Sequence, residues 1–150
     1  MRPSRRWADD GGSASLEFIT AGVVLLVPIV YLVLALSAVQ AATLAVDGAA
    51  RQATRVYVQS GTTAAARSAA ARAIAVTLAD YGVDASAAVV EIRCRPRANA
   101  CLTRRGFVTV TIRTIVALPL APPFLDTGLP TGLPVEATAT EQVSRFWGSR

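Results

Sequence analysis

Hydrophobic positions form one long uninterrupted run near the amino end and several shorter periodic patterns after it. The run covers residues 18–39, which are 22 positions without a charged side chain. With a rise of about 1.5 Å per residue, a helix of this length would measure about 33 Å, enough to cross a hydrocarbon core of roughly 30 Å. A soluble core helix seldom stays apolar on every face for so long. The pattern therefore predicts a transmembrane helix over residues 18–39.

The helical pattern continues beyond this run. Alanines recur at steps of three and four residues and so share one face of a helix: Ala35, Ala38, Ala42, Ala45, Ala49 and Ala53. Small side chains let two helices approach closely, although such a stripe also arises without a packing role in a chain so rich in alanine. We expect one helix over residues 13–59, bent at Pro28 because proline lacks an amide hydrogen.

A second helix and three strands are predicted after residue 60. Ser60 and Thr62 are candidate helix caps, and the helix should extend from about Thr63 to Tyr81 and end at Gly82. Its buried face is expected to carry Ala70, Ala71, Ile74, Leu78 and Tyr81. Strict alternation then predicts strands near residues 87–94, 106–116 and 135–143, which form an antiparallel sheet packed on helix.

The segments outside these elements also carry apolar side chains. Residues 119–134 are rich in Pro and Gly but keep several large apolar residues, so we expect a loop that folds over the sheet rather than one that binds a partner. Phe146 and Trp147, close to the carboxyl end, are expected to anchor the tail to the domain. The alternative for the loop is contact with a partner, and for Phe146 and Trp147 it is contact with a partner or with the membrane.

Composition narrows the classes of function. All 15 basic residues are arginine, and with 10 acidic residues the net charge is +5. The arginines are scattered and aromatic residues are few, so no nucleic acid is expected as a partner. Arg93, Arg95 and Arg97 suit an anion clamp, but no nucleophile–base pair accompanies them. Without any His, acid–base catalysis by imidazole and the Ser-His-Asp arrangement are excluded. We expect no enzyme activity, small-molecule substrate, metal or other cofactor.

Cys94 and Cys101 are the two cysteines and enclose six residues between the first two predicted strands. Two thiols without histidine make a poor metal site, and a redox pair would normally be closer, as in Cys-x-x-Cys. We expect a disulfide at the base of a hairpin, with free thiols as the alternative. A disulfide would place the domain outside the cytoplasm.

A carboxylate lies at the mouth of the apolar run, where a charge needs either a partner or a position near the interface. Gly12 is followed by four residues, then Glu17, Phe18 and the run. This stretch resembles the prepilin pattern of a glycine, a cleavage point, four small or apolar residues, a glutamate and an aromatic. Residues 14–18, Ala-Ser-Leu-Glu-Phe, are similar to the signature of the TadE-like family, the minor pseudopilins of tight-adherence (Flp, type IV-like) pilus systems. The alanine- and arginine-containing run over residues 48–55 resembles that family more weakly.

The resemblance implies a pilin-like α+β fold, with a long amino-terminal transmembrane helix continuing into an exported domain that has a second helix and a three-stranded antiparallel sheet. It divides the chain into a cytoplasmic leader over residues 1–12, the long helix over 13–59 and the exported domain over 60–150. A prepilin peptidase would cleave between Gly12 and Ser13. Glu17 and Phe18 would then act in assembly, with Glu17 facing the terminal amine of a neighbouring subunit.

The implied partners are the membrane, the prepilin peptidase and other pilin or pseudopilin subunits. The implied location is the cytoplasmic (inner) membrane, crossed once with the amino end in the cytoplasm and the carboxyl-terminal domain outside it, and then an extracellular pilus. Arg2, Arg5 and Arg6 favour this orientation, while Arg51 and Arg55 beyond the run weaken the charge bias.

Two other interpretations stay open at the level of the sequence. In the first, the chain is an uncut single-pass membrane protein with a small extracytoplasmic binding domain, and Glu17 merely lies near a helix amino end that favours negative charge. In the second, a signal peptidase cleaves after Ala41 and releases a soluble domain. The length of the apolar run and the acidic residues of the leader argue against the second.

Overall fold

A computed structural model of the chain describes residues 13–117, 119 and 132–148. The helices are α1 (Ser13–Gln59) and α2 (Thr63–Asp80), and the strands are β1 (Val89–Arg95), β2 (Phe107–Ala117) and β3 (Gly132–Gln142), with a 3-10 turn over Ala85–Ala87. This is the predicted α+β arrangement of a long apolar amino-terminal helix, a second helix and a three-stranded antiparallel sheet. The predicted leader and most of the predicted loop, residues 120–131, lie outside the described residues.

The chain divides into two compact units, with the boundary between Leu36 and Ser37. We call residues 13–36 the amino-terminal unit and residues 37–148 the carboxyl-terminal unit, in each case for the described part. The second half of α1 contributes its side chains to the core of the carboxyl-terminal unit.

Small side chains carry the burial of α1 in the carboxyl-terminal unit. Four alanines of the predicted stripe are at most 2% exposed: Ala42, Ala45, Ala49 and Ala53. Val46, Ala50 and Tyr57 are also fully buried, although they lie outside that stripe. These positions share one side of the helix, and Leu44, Arg51 and Arg55 are exposed on the other, so this part of α1 packs one face against the core.

Helix α2 begins and ends with recognisable caps. The side chain of Thr62 accepts a hydrogen bond from the N–H of Ala65 at 3.2 Å, as expected of an N-cap. At the other end Gly82 has φ +70°, and the N–H groups of Gly82 and Val83 donate to the carbonyls of Ala79 and Leu78. These are the two hydrogen bonds of a Schellman motif.

The buried face of α2 is narrower than predicted. It consists of Ala66, Ala70, Ile74 and Leu78, at steps of four residues. Ala71 and Tyr81 were both expected on this face, and both are exposed, Tyr81 by 49%. Ala71 lies a further 100° around the helix from Ala70, and Tyr81 is the C-cap, where the helical direction of the side chains ends.

The sheet has the order β1-β2-β3 with β2 in the centre. Val108, Val110, Ile112 and Thr114 alternate on the buried face of β2. Strand β3 begins at Gly132, three residues before its predicted start, and so contains Pro134, which pairs with Ile115. A proline is tolerated there because β3 is an edge strand and has one side without a ladder partner.

One core joins α1, α2 and the sheet, and it is built mainly from alanine and valine. Tyr57 is its largest fully buried side chain. The hydroxyl groups of Tyr57 and Thr114 are buried and accept or donate no hydrogen bond within the described residues. A core with few large side chains and two such hydroxyls leaves a modest margin of stability.

Candidate functional site

The amino-terminal unit exposes an apolar surface along its whole length. Every described side chain from Ala14 to Leu34 is exposed, including fourteen large apolar ones. By length and composition, α1 is the helix of the described chain that is able to cross a membrane. Contiguous apolar surface of this extent is rare on soluble monomers and is typical of contact with lipid or with other helices. The finding fits the predicted transmembrane segment.

Glu17 is the carboxylate of this apolar unit. It lies in the second turn of α1, exposed, beside Thr20 and Ala21 at one-turn spacing on the same face. Among the described residues it forms no ion pair. The small neighbours leave its carboxylate accessible from the side of the helix.

The other residues of the predicted assembly and cleavage sites are placed as follows. Phe18 is 81% exposed. Ser13 is the first residue of α1, four residues before Glu17, which is about 6 Å along a helix axis. Gly12 lies outside the described residues. Cleavage and assembly therefore stay predictions, with Ser13 and Glu17 one helical turn apart.

Pro28 does not interrupt α1, which continues through it from Ser13 to Gln59. Since proline has no amide hydrogen, the carbonyl of Val24 lacks its helical donor. In lipid such a carbonyl needs a donor from a neighbouring helix, a hydroxyl side chain or water. The carbonyl of Val24 is thus a second polar group of the apolar helix, after the carboxylate of Glu17, that lacks a partner within the helix.

The two cysteines lie at disulfide distance, with their sulfur atoms 1.96 Å and their Cα atoms 5.0 Å apart. Both are 7% exposed and belong to the core. The bond joins the end of β1 to the loop before β2, at the base of the hairpin that these strands form. This geometry fits the predicted disulfide.

The carboxyl-terminal turn is attached to the helices through Trp147. Its Nε1 donates a hydrogen bond to the carbonyl of Ser60 at 3.0 Å. Phe146, beside it, is 65% exposed. Anchoring of the tail therefore rests on Trp147, and Phe146 contributes to the surface.

The charged side chains of the sheet are mostly paired. Arg113 forms two contacts with Glu136, Nε to Oε2 at 3.0 Å and Nη2 to Oε1 at 3.1 Å. This hydrogen-bonded pair raises the pKa of Arg113 and lowers the pKa of Glu136. Hydrogen bonds from Ser86 lower the pKa of Asp84. Because all of these groups are exposed, they add little to the free energy of unfolding.

An ion pair removes one of the three arginines from the candidate anion clamp formed by Arg93, Arg95 and Arg97. Arg93 Nε lies 2.7 Å from Glu91 Oε1, so its charge is already compensated. Arg95 and Arg97 are exposed and form no ion pair within the described residues. Two further arginines, Arg104 and Arg105, lie with Arg97 in the loop between β1 and β2. The sequence signal for these two was the Arg-Arg-Gly turn before β2, which the predictions did not single out.

Among the described residues, no three Asp, Glu, Cys or His side chains lie close enough together to hold a metal ion. Comparisons of the chain with models of protein families, with curated proteins and with solved structures give no match.

Proposed function

We propose that the chain is a minor pilin or pseudopilin subunit of a tight-adherence (type IV-like) pilus, or of a related secretion machine. A prepilin peptidase cleaves it between Gly12 and Ser13, and it assembles through its amino-terminal helix. The observation that carries the proposal is the exposed apolar part of α1 over residues 14–34, whose one carboxylate, Glu17, lies a single turn after the first residue of the helix. The resemblance of residues 12–18 to the prepilin pattern adds the cleavage point.

Burial of Glu17 against another subunit supplies the physical reason for assembly. Cleavage creates an ammonium group at Ser13. An ammonium and a carboxylate attract strongly in a low dielectric, and either one alone is costly there. A neighbouring helix displaced along its axis by one turn, roughly 5 to 6 Å, brings its Ser13 amine beside Glu17. Each subunit then satisfies the charge of the next.

The proposed location follows from the two units taken separately. The apolar unit is held in the cytoplasmic membrane, with the amino end on the cytoplasmic side. The cystine of the carboxyl-terminal unit favours an oxidising compartment outside that membrane. Assembly transfers the subunit to the pilus, and no chemical step other than cleavage of the leader is required.

A second candidate is an uncut single-pass membrane protein that displays a binding domain. Residues 37–148 favour it because they have a hydrophobic core of their own. In this case Glu17 needs no partner, since a carboxylate near a helix amino end is stabilised by the helix dipole.

The amino terminus of the mature protein distinguishes these candidates. The protein is taken from the membranes of its own host and examined by intact mass and terminal sequencing. A chain that begins at Ser13 supports the pilin proposal. A start at Met1, or at Arg2 after removal of Met1, supports the uncut membrane protein, and a start at Ala42 shows a released domain in which Glu17 has no role.

Glu17→Gln tests the assembly step independently of cleavage. We expect the variant to lose copurification with other pilus subunits while its mature terminus and its amount in the membrane stay unchanged, because only the charge is removed. Asp47→Asn is the control, since it neutralises another carboxylate of the same helix, which is half-buried and paired with Arg51. Equal copurification of both variants with the unmodified protein would contradict the role of Glu17.

A further inference from the structure

Five exposed arginines lie at one end of the carboxyl-terminal unit, where β1 and β3 end and β2 begins. They come from three separate parts of the chain: Arg95, Arg97, Arg104, Arg105 and Arg145. Within the described residues none of them forms an ion pair with a carboxylate. Glu141 also belongs to this end, but it alternates with Gln142 and so lies on the face of β3 opposite to Phe107.

Hydrogen bonds join the β1–β2 loop and the carboxyl-terminal turn into one surface. Arg104 Nε donates to the carbonyl of Trp147 at 2.8 Å, and Gln142 Nε2 donates to the carbonyl of Arg105 at 3.2 Å. The backbone N–H of Arg105 also donates to the carbonyl of Val143 at 3.1 Å. The cystine holds the other side of the loop. We call this surface, with its five arginines, the basic end. Its segments are held together by these hydrogen bonds and by the cystine.

Arg105 is held in an unfavourable backbone conformation, with φ 60°. A left-handed conformation disfavours residues with a Cβ atom, and glycine or asparagine would relieve the strain. Hydrogen bonds from its N–H group to Val143 and to its carbonyl from Gln142 hold Arg105 in this conformation, so its place in the basic end is fixed by the backbone.

An aromatic ring lies within the basic end. Phe107 is 45% exposed and pairs with Arg95 on one side and Gln142 on the other, on the solvent face of the sheet. The hydroxyl-bearing pair Thr109 and Thr140 follows on the same face. Guanidinium groups match phosphate oxygens in a two-pronged geometry, and an exposed ring on a flat sheet is a platform on which a base stacks.

We propose that the basic end binds single-stranded nucleic acid, with the arginines on the phosphates and Phe107 under a base. Along the sequence the arginines are scattered, which argued against such a site, but the fold brings five of them together. An acidic polysaccharide would use the arginines equally well but offers no base to the ring, so the position of Phe107 favours nucleic acid. This binding does not rest on the pilus function, and cleavage at Ser13 does not bear on it.

The test uses the full chain in nanodiscs of zwitterionic lipid and a fluorescent oligothymidylate of about 20 nucleotides. Fluorescence anisotropy is measured between about 50 and 200 mM salt. For Arg95→Gln/Arg97→Gln we expect affinity to fall about tenfold and the slope of log K against log salt to fall by about 1.4, since each lost phosphate contact removes about 0.7 on a single strand. Arg67→Gln/Arg72→Gln removes the same charge from exposed positions of α2 and is expected to change affinity less than about twofold.

Phe107→Leu separates nucleic acid from an acidic polysaccharide. We expect it to weaken oligothymidylate binding roughly tenfold, to leave the salt slope unchanged and to have no effect on heparin binding. Circular dichroism verifies that each variant keeps the fold. Three results would each overturn the proposal: no saturable binding of the oligonucleotide, equal losses from the two arginine pairs, or oligonucleotide binding that is unaffected by Phe107→Leu. The last of these, with tight heparin binding, would identify an acidic-polysaccharide surface instead.

Discussion

Gly106 occupies a position where the backbone itself leaves no room for a side chain. A Cβ atom there would lie 2.9 Å from the carbonyl oxygens of both Arg95 and Thr103. We expect Gly106→Ala to lower the free energy of unfolding by about 2 kcal/mol, because backbone atoms must move. Gly61→Ala is the control, since no atom lies within 4 Å of its Cβ position. Urea unfolding of both variants is followed by circular dichroism in detergent. Equal urea midpoints for the two variants would contradict this account of the loop.

The ion pair of Glu136 with Arg113 makes the stability of the fold depend on pH. Its pKa is lowered from 4.5 by the hydrogen bond with Arg113, so the folded state favours the ionised carboxylate more than the unfolded state does. The resulting stabilisation is fully present above about pH 4.5 and is lost as the pH falls through the lower pKa of the folded protein. We expect Glu136→Gln to be slightly less stable than the unmodified chain at pH 7.

Measurement of urea midpoints from pH 7 to below pH 4 checks this sign. The difference between Glu136→Gln and the unmodified chain is expected to shrink as the pH decreases below 4.5, the ordinary value for this carboxyl. Glu141→Gln is the control, because Glu141 forms no ion pair within the described strands. A difference that grows towards acid pH would contradict the pairing of Glu136 with Arg113.

Helices α1 and α2 approach closely because the residues between them are small. A Cβ atom on Gly48 would lie 3.6 Å from Thr77 Cγ2, which is an ordinary contact, while Ala49 beside it is fully buried. We expect Ala49→Leu to lower the free energy of unfolding by about 2 kcal/mol through overpacking. The same change at exposed Ala71 should alter it by less than about 0.5 kcal/mol. Thermal unfolding in detergent compares the two, and a similar melting temperature would contradict close packing along α1.

The elements themselves were accessible to sequence analysis to different degrees. Helix α2 and strand β2 follow their predicted bounds within one residue at each end, because caps, a terminal glycine and strict alternation are local signals. The early start of β3 was missed because Pro134 reads as a loop residue. Whether a strand is central or at an edge depends on its neighbours in the sheet, which no local pattern reports.

The two units make different demands on their surroundings. The amino-terminal unit exposes its apolar side chains and requires lipid or neighbouring helices. The carboxyl-terminal unit buries a core of small residues and contains a cystine. In the proposed arrangement, a membrane helix carries an exported domain, so that lipid and an oxidising compartment meet these two requirements. The oxidation state of the cysteines tests that proposal.

We expect Cys94 and Cys101 to be oxidised in the host. Membranes are solubilised in denaturant with an alkylating reagent and no reductant, so that buried thiols also react, and the mass of the protein is then measured. An unchanged mass shows the disulfide, and two added labels after reduction provide the control. Two labels without reduction would place the carboxyl-terminal unit in a reducing compartment, against the proposed orientation.

Local composition and periodicity were enough to establish the apolar helix, the second helix, the alternating strands and the pairing of two nearby cysteines. Each of these features depends on residues that are close together in the sequence, so a single sequence is enough to predict it. Long-range packing was needed for the rest. It brings arginines from a loop and a distant turn to one end of the sheet. Their proximity arises from strand register and from hydrogen bonds between segments about 40 residues apart, such as that from Arg104 to Trp147, and contacts of that kind have no local pattern in the chain.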